Sequence, residues 1–245
     1  MAFIIGGNTF NGTMADTQDY TQIVQTGLKT HLDASTIESY PGSGTDWYDL
    51  SGNENHATLT NGPTFSSTNG GSIVFDGIND YGVINDYTDI NLSAGTICAW
   101  VKYNTIATNR VVISYGGNNL DRGFLLQNEN NTLNKIGFST YRGAGSNAYA
   151  GESTSTPYIG NWLYQVGVYN TTSLKLYLNG SLTISSTLST PSALLSDSTF
   201  WIGGEYNRTT YYLDGNIAAV QIYNRVLSSE EILYNYNTQK ARFGL

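Results

Sequence analysis

The sequence predicts an all-β chain, its antiparallel strands folded into two layers, with one short helix near the end. Three observations predict it. Short runs rich in Val, Ile, Tyr, Phe and Trp recur at strand length, among them "SIVFD", "TICAWVKY", "RVVISYG", "GFLLQN", "IGFSTY", "LKLYLNG", "FWIGG" and "IAAVQIYN". Between them stand Asn11-Gly12, Asn61-Gly62, Asp76-Gly77, Asn179-Gly180 and Asp214-Gly215, dipeptides that accept the positive φ angles of tight turns. Charged residues are 12% of the 245 positions, about half the usual share, and 27 glycines supply many turns. Sandwiches of this length often form one unit, and 40% hydrophobic residues suffice for its core.

The chain opens on "MAFIIGGNTFNG", whose apolar run is too short for a secretory leader; the first basic residue is Lys29, so export by the usual route is not expected. Further on, "GGSIVFDGINDYGVIN" begins as a strand and then sets Asp76, Asn79 and Asp80 beside Tyr81. Three readings are open. As a turn, Asp76-Gly77 and Asn79-Asp80 end one strand and let Tyr81 begin the next. As a metal site, the three residues offer hard oxygens suited to Ca²⁺, but that ion takes six to eight ligands and the EF-hand pattern is absent. As an acid pair, Asp76 and Asp80 would need one raised pKa and an open cleft.

"TICAWVKY" carries apolar groups on both sets of alternate positions, Ile97, Ala99 and Val101 against Cys98 and Trp100. A central strand covered on both sides is expected, with a groove over its second face. In "LKLYLNGSLTI", Leu174, Leu176 and Leu178 point one way and Lys175, Tyr177 and Asn179 the other, with a hairpin turn at Asn179-Gly180. The helix is written in "RVLSSEEILYNYN": Ser228 caps it, Glu231 reaches back three residues, and Leu227 packs on Ile232. Glu230 and Glu231 are therefore first-turn residues matched to the helix dipole, not catalytic acids.

Composition narrows the partners. Eleven Lys and Arg against nineteen Asp and Glu leave a net charge of −8, which repels polyphosphate and anionic lipid, so no nucleic-acid partner is expected. No uncharged apolar stretch approaches the ~18 residues of a bilayer span, so no membrane partner is expected either. Cys98 is the single cysteine and reads as a buried thiol, which leaves stability to packing. Two histidines, His31 and His56, are too few for a typical zinc cluster and read as structural. "GGNNLDRG" and "IGGEYN" lack the lysine and following helix of a phosphate loop.

What remains is a binding surface. Nineteen tyrosines and four tryptophans exceed what a sandwich core usually needs, and many stand in polar stretches. Trp47 and Tyr48 in "TDWYDL", Tyr141 and Arg142 in "STYRGAGSNAY", and Tyr206 and Arg208 in "GEYNRTTYY" are the candidate ligand-binding residues. Aromatic faces beside Asn and Arg suit sugar rings, whose C–H faces stack while hydroxyls take hydrogen bonds. The same composition suits a protein interface.

The run "HLDAS", "DLSGNENHATL", "IVFDGINDY", "TICAWVKY", "LKLYLNG" and "DGNIAAVQIYNRVLSSEEI", over residues 27 to 236, resembles the laminin G-like members of the concanavalin A-like lectin and glucanase superfamily. The resemblance implies a jelly-roll sandwich of two curved antiparallel sheets that binds carbohydrate or protein. Relatives often carry acids where this chain has Ala218 and Ala219, so a calcium ligand implied there is missing. Sugar-cleaving relatives need Glu-x-Asp-x-x-Glu, which does not occur, so no catalytic residues and no enzyme are expected. A polysaccharide-degrading enzyme and a secreted cellular lectin are the alternatives.

The flanks, including "YNTQKARFGL", are similar to those of structural proteins of tailed bacteriophages of marine bacteria. That similarity implies a virion component assembled in the host cytoplasm, forming a homo-oligomer and meeting neighbouring virion subunits or cell-surface glycans. The resemblance divides the chain into an arm, 1–26, and a sandwich domain, 27–245. The arm carries Phe3, Ile4 and Ile5 ahead of a polar stretch too poor in apolar residues for its own core, so it is expected to need a partner.

Overall fold

The computed structural model describes residues 3–5, 8–10, 22–85, 87–106, 109–116, 123–129, 135–140, 148–152, 158–188, 194, 199–205 and 210–245. In chain order the strands are β1 (Phe3–Ile5), β2 (Asn8–Phe10), β3 (Leu28–Asp33), β4 (Asp46–Trp47), β5 (Ala57–Thr60) and β6 (Thr64–Ser66). Then come β7 (Ser72–Asp76), β8 (Tyr81–Ile84), β9 (Ala94–Tyr103), β10 (Arg110–Tyr115), β11 (Phe124–Glu129) and β12 (Lys135–Thr140). The last are β13 (Ala148–Glu152), β14 (Trp162–Asn170), β15 (Ser173–Leu178), β16 (Ser181–Thr187), β17 (Phe200–Ile202) and β18 (Asp214–Tyr223), followed by the helix α1 (Ser229–Gln239) and a 3₁₀ turn, Lys240–Phe243.

Two antiparallel sheets stack as the sequence predicts. The front sheet runs β13-β12-β11-β10-β17-β8-β5-β4; the back sheet runs β16-β15-β14-β9-β18-β7-β6, with β3 pairing the far end of β18. β1 and β2 pair only with each other among the described residues, Phe3 opposite Phe10. This is a nearly all-β sandwich with one short C-terminal helix.

Alternation explains where the core lies. Leu174, Leu176 and Leu178 of β15 join Ile97, Ala99 and Val101 of β9 between the sheets, while Tyr177, Cys98 and Trp100 face the other way. Asn179 (φ 50°) and Gly180 (φ 78°) make the hairpin turn with two left-handed residues, which is the conformation that Asn-Gly favours. Eight of the tyrosines, Tyr40, Tyr87, Tyr103, Tyr115, Tyr164, Tyr169, Tyr177 and Tyr223, are buried. The aromatic excess is thus in large part core, and each buried phenol is affordable only with a partner, as when the Tyr103 hydroxyl donates to Gln165 Oε1 at 2.8 Å.

The second face of β9 is covered. Ser228 and Glu231 form the expected capping box, and Leu227 and Ile232 are both buried against the sheet. Trp100 stacks on Phe243 (centroids 4.1 Å apart) and donates from Nε1 to Gln239 Oε1 at 2.8 Å. Burying Ile232 or Phe243 contributes roughly 1.5–3 kcal/mol each. Arg242 closes the layer: its Nη1 meets Asp33 Oδ1 at 2.7 Å, while Nε and Nη2 donate to the carbonyls of Asn69 and Gly71. Ile23 and Val24 are buried in the same layer, and the Val24 N–H donates to Asn235 Oδ1 at 2.8 Å. The groove expected there is filled by the chain's own end. Cys98, wholly buried beneath it, has its thiol pKa pushed up to about 12 by desolvation.

Candidate functional site

Among the described residues, no helix covers the aromatic side chains on the front sheet's outer face. In β17, Phe200 and Ile202 point into the core, so Trp201 points outward; in β8, Gly82 and Ile84 point inward, so Tyr81 and Val83 point outward. Trp201 lies opposite Val83 in the register, which makes Tyr81 its diagonal neighbour, with ring centroids 4.9 Å apart. Tyr212 continues the row, stacked on Tyr81 at 6.4 Å and 23°. All three rings are half-buried. Gly204 makes room: a Cβ there would stand 3.1 Å from the Tyr212 ring.

Backbone contacts hold the row. Arg110 Nη1 donates to the carbonyls of Gly77 (3.2 Å) and Tyr212 (2.7 Å), tying the turn before Tyr81 to the segment that carries Tyr212. Across the neighbouring strand, Ser114 lies opposite Trp201 and donates from Oγ to the Gly204 carbonyl at 3.0 Å. Glu205, buried, follows at once.

The turn itself is built from the acids singled out in the sequence. Asp76 Oδ1 accepts from the N–H groups of Ile78 (2.8 Å) and Asn79 (3.3 Å), and Asp80 Oδ2 accepts from the Asp76 N–H at 3.1 Å. That is the hydrogen bonding of an Asx turn. Desolvation, and next the neighbouring Asp76 carboxylate, raise the Asp80 pKa above the usual range, while the Asp76 N–H pulls it down. Among the described residues no group of three or more His, Cys, Asp or Glu is arranged to hold a metal ion.

The other sequence candidates fall elsewhere. Trp47 is wholly buried in the core, because the polar stretch "TDWYDL" includes a short strand at the sheet edge whose indole turns inward. Tyr48 is 39% exposed, edge-on to His56 at 5.3 Å, on the far side of β5 from the row. Tyr141, Arg142, Tyr206 and Arg208 lie outside the described residues. His31 is buried, and the His56 Nδ1 accepts from the Asp49 N–H at 2.9 Å. The sequence alone does not single out Tyr81, Trp201 and Tyr212 as candidates. The available signal was alternation in "FWIGG", which sets the indole opposite two core side chains.

A family model for laminin G-like domains, described as the concanavalin A-like lectin/glucanases superfamily, matches residues 76–233. No curated protein sequence matches the chain. Among solved structures, the ligand-binding domain of botulinum neurotoxin serotype D, in complex with N-acetylneuraminic acid, superposes with a TM-score of 0.69 at 17% identity. That match covers 88% of this chain and 52% of the toxin domain. The binding domain of Paraclostridial Mosquitocidal Protein 1 gives 0.68 at 17%, over 87% of this chain and 52% of that one. Domain 4 of an extracellular arabinanase from Geobacillus stearothermophilus, in complex with arabinotriose, gives 0.66 at 16%, over 85% of this chain and 98% of that domain. The chain therefore spans about half of each toxin domain and almost the whole arabinanase domain. At these identities the likeness shows the fold alone.

Proposed function

We propose, since the chain belongs to the concanavalin A-like lectin/glucanase superfamily, that it is a non-catalytic carbohydrate-binding module whose ligand stacks on Tyr81, Trp201 and Tyr212. The observation that carries this reading is the half-buried aromatic row on the front sheet, braced by Arg110 and, among the described residues, not covered by a helix. The sugar-bound states of the toxin and arabinanase domains support it as analogies of fold. A ring that stacks on a sugar contributes about 1 kcal/mol beyond the area it buries. The sequence's lack of Glu-x-Asp-x-x-Glu, and the engagement of Asp76 and Asp80 by backbone N–H groups, favour binding over cleavage.

The test is a panel of algal and bacterial polysaccharides incubated with the pure protein. Expected are retention on at least one glycan, loss of about tenfold in affinity in Trp201→Ala, and no new reducing ends. New reducing ends would make it an enzyme, and unchanged affinity in Trp201→Ala would put the ligand elsewhere.

The finer setting rests on the flanks. Their similarity to structural proteins of tailed bacteriophages supports a virion component that meets cell-surface glycans or neighbouring subunits, with the N-terminal arm as its attachment. Since Ile23 and Val24 are docked beneath α1, a chain beginning at Gln22 keeps that packing. It should melt like the full chain but fail to enter particles; normal incorporation would refute the attachment role.

A further inference from the structure

The segments that carry the aromatic row also carry carboxylates. Asp80 directly precedes Tyr81, and Asp214 stands two residues beyond Tyr212. In the register of the back sheet Asp214 lies directly opposite Asp76, although like charges at opposed positions repel. Gly77 (φ 74°) runs close to both Asp214 and Arg110: a Cβ there would stand 2.7 Å from the Asp214 Cβ and 3.2 Å from Arg110 Nη1. Among the described residues none of these three carboxylates is in a salt bridge. Their hydrogen-bond donors are uncharged: the N–H groups of Ile78 and Asn79 on Asp76, the Asp76 N–H on Asp80, and Asn104 Nδ2 on Asp214 (3.0 Å).

The cations of the front sheet offer no matching seat for an anion. Its described strands hold two, Arg110 and Lys135. Lys135 is in β12, two strands removed from β17, with its Nζ over the Tyr149 ring at 5.6 Å. Arg110 is beside the row, but its Nη1 is committed to the Gly77 and Tyr212 carbonyls and its Nε is buried. Two-pronged recognition of a carboxylate or sulfate needs two adjacent N–H groups of the guanidinium fork, and here each such pair includes an occupied or a buried one.

We propose, resting on the reading of Tyr81, Trp201 and Tyr212 as the glycan site, that the site selects neutral polysaccharides and that Asp76, Asp80 and Asp214 exclude uronate and sulfated chains. An ionised carboxylate only accepts hydrogen bonds. Sugar hydroxyls can donate to it, whereas the carboxylate or sulfate of an acidic sugar also only accepts, and meets it as like charge. The net charge of −8 adds to this repulsion at longer range. Selectivity of this kind is built from an unfavourable contact with the wrong ligand, while the stacking rings, which favour any sugar with an open C–H face, supply the affinity.

Affinity electrophoresis of the full chain tests this, with laminarin, xylan and arabinan as neutral probes and alginate and carrageenan as anionic ones. The wild type should bind at least one neutral polymer, with loss in Trp201→Ala, and each anionic polymer at least about tenfold more weakly. Raising the salt from about 0.1 to about 1 M, which shortens the screening length from about 10 Å to about 3 Å, should narrow that gap and leave the neutral affinity in place. Asp214→Asn removes one charge and keeps an oxygen for Asn104, so the ratio of anionic to neutral affinity should rise about two- to threefold. A Trp201-dependent affinity for alginate or carrageenan equal to that for the neutral polymers would overturn the selectivity while leaving the row as the site; its loss in Arg208→Ala would assign the anion to that arginine. An unchanged ratio in Asp214→Asn would overturn it as well. Retention of no polymer, or retention indifferent to Trp201→Ala, would remove the row as the site and the selectivity with it.

Discussion

The outer faces of the two sheets are both aromatic, yet they are covered differently. On the back, Trp100 and Tyr164 are sealed under α1 and the 3₁₀ turn that carries Phe243, with the Trp100 indole N–H donating to Gln239 and the Tyr164 hydroxyl to Gln221. On the front, Tyr81, Trp201 and Tyr212 stay half-buried, and hydrogen bonds from Arg110 to backbone carbonyls hold the segments that carry Tyr81 and Tyr212. Aromatic content does not distinguish a sealed core from a partly open face; what lies over the rings does.

Removing the seal tests the comparison most severely. Arg242→Ala leaves Asp33 as a buried carboxylate without its cation, and should cost about 3–5 kcal/mol, a fall in melting temperature on the order of 10 °C. Glycan affinity of the folded fraction should not move. If the melt is unaffected, the back layer is not held as described.

The two exposed-versus-sealed indoles sharpen it. Trp100→Ala should lose about 3–5 kcal/mol of stability in a denaturant melt, while Trp201→Ala should lose roughly 1 kcal/mol and about tenfold in glycan affinity. Equal losses of stability would mean that Trp201 belongs to a core.

A smaller effect is set by pH. Burial, and Arg242 nearby, lower the His31 pKa, against the opposing pull of Asp33 and Asp49, so the folded protein keeps a neutral imidazole. Its folded pKa lies below the unfolded value of ~6.5, so the stability it allows is complete above about pH 6.5 and is lost as the pH falls through that value. His31→Gln should flatten the fall in melting temperature between pH 7 and pH 5. A fall as steep as the wild type's would assign the acid sensitivity to other groups. The smallest expected effect is that of chelator: with Asp76 accepting two backbone N–H groups, the melt should not shift, and a loss of tens of degrees would reveal a structural calcium ion.

The same contrast explains what the sequence made legible. The two-faced pattern of β9, the Asn179-Gly180 turn and the Ser228/Glu231 box are local, and each is found as read. Trp47 and Arg242 are not local. "TDWYDL" looks like a loop until β4 pairs with β5, and "KARFGL" looks like a tail until Arg242 meets Asp33, 209 residues away. The aromatic row was hidden for a related reason: Trp201 and Tyr81 are far apart in sequence and become neighbours only through the β17–β8 register.

Tryptophan emission during a glycan titration reports whether a ligand stacks on the front-face row. Trp47, Trp100 and Trp162 are buried, so Trp201 is the indole whose surroundings a ligand on the front face would change. With a glycan that the wild type retains, emission should shift on titration, and in Trp201→Phe, which keeps a stacking ring, the shift should vanish while binding by calorimetry persists. A shift that survives in Trp201→Phe would place the ligand away from the aromatic row and contradict the account.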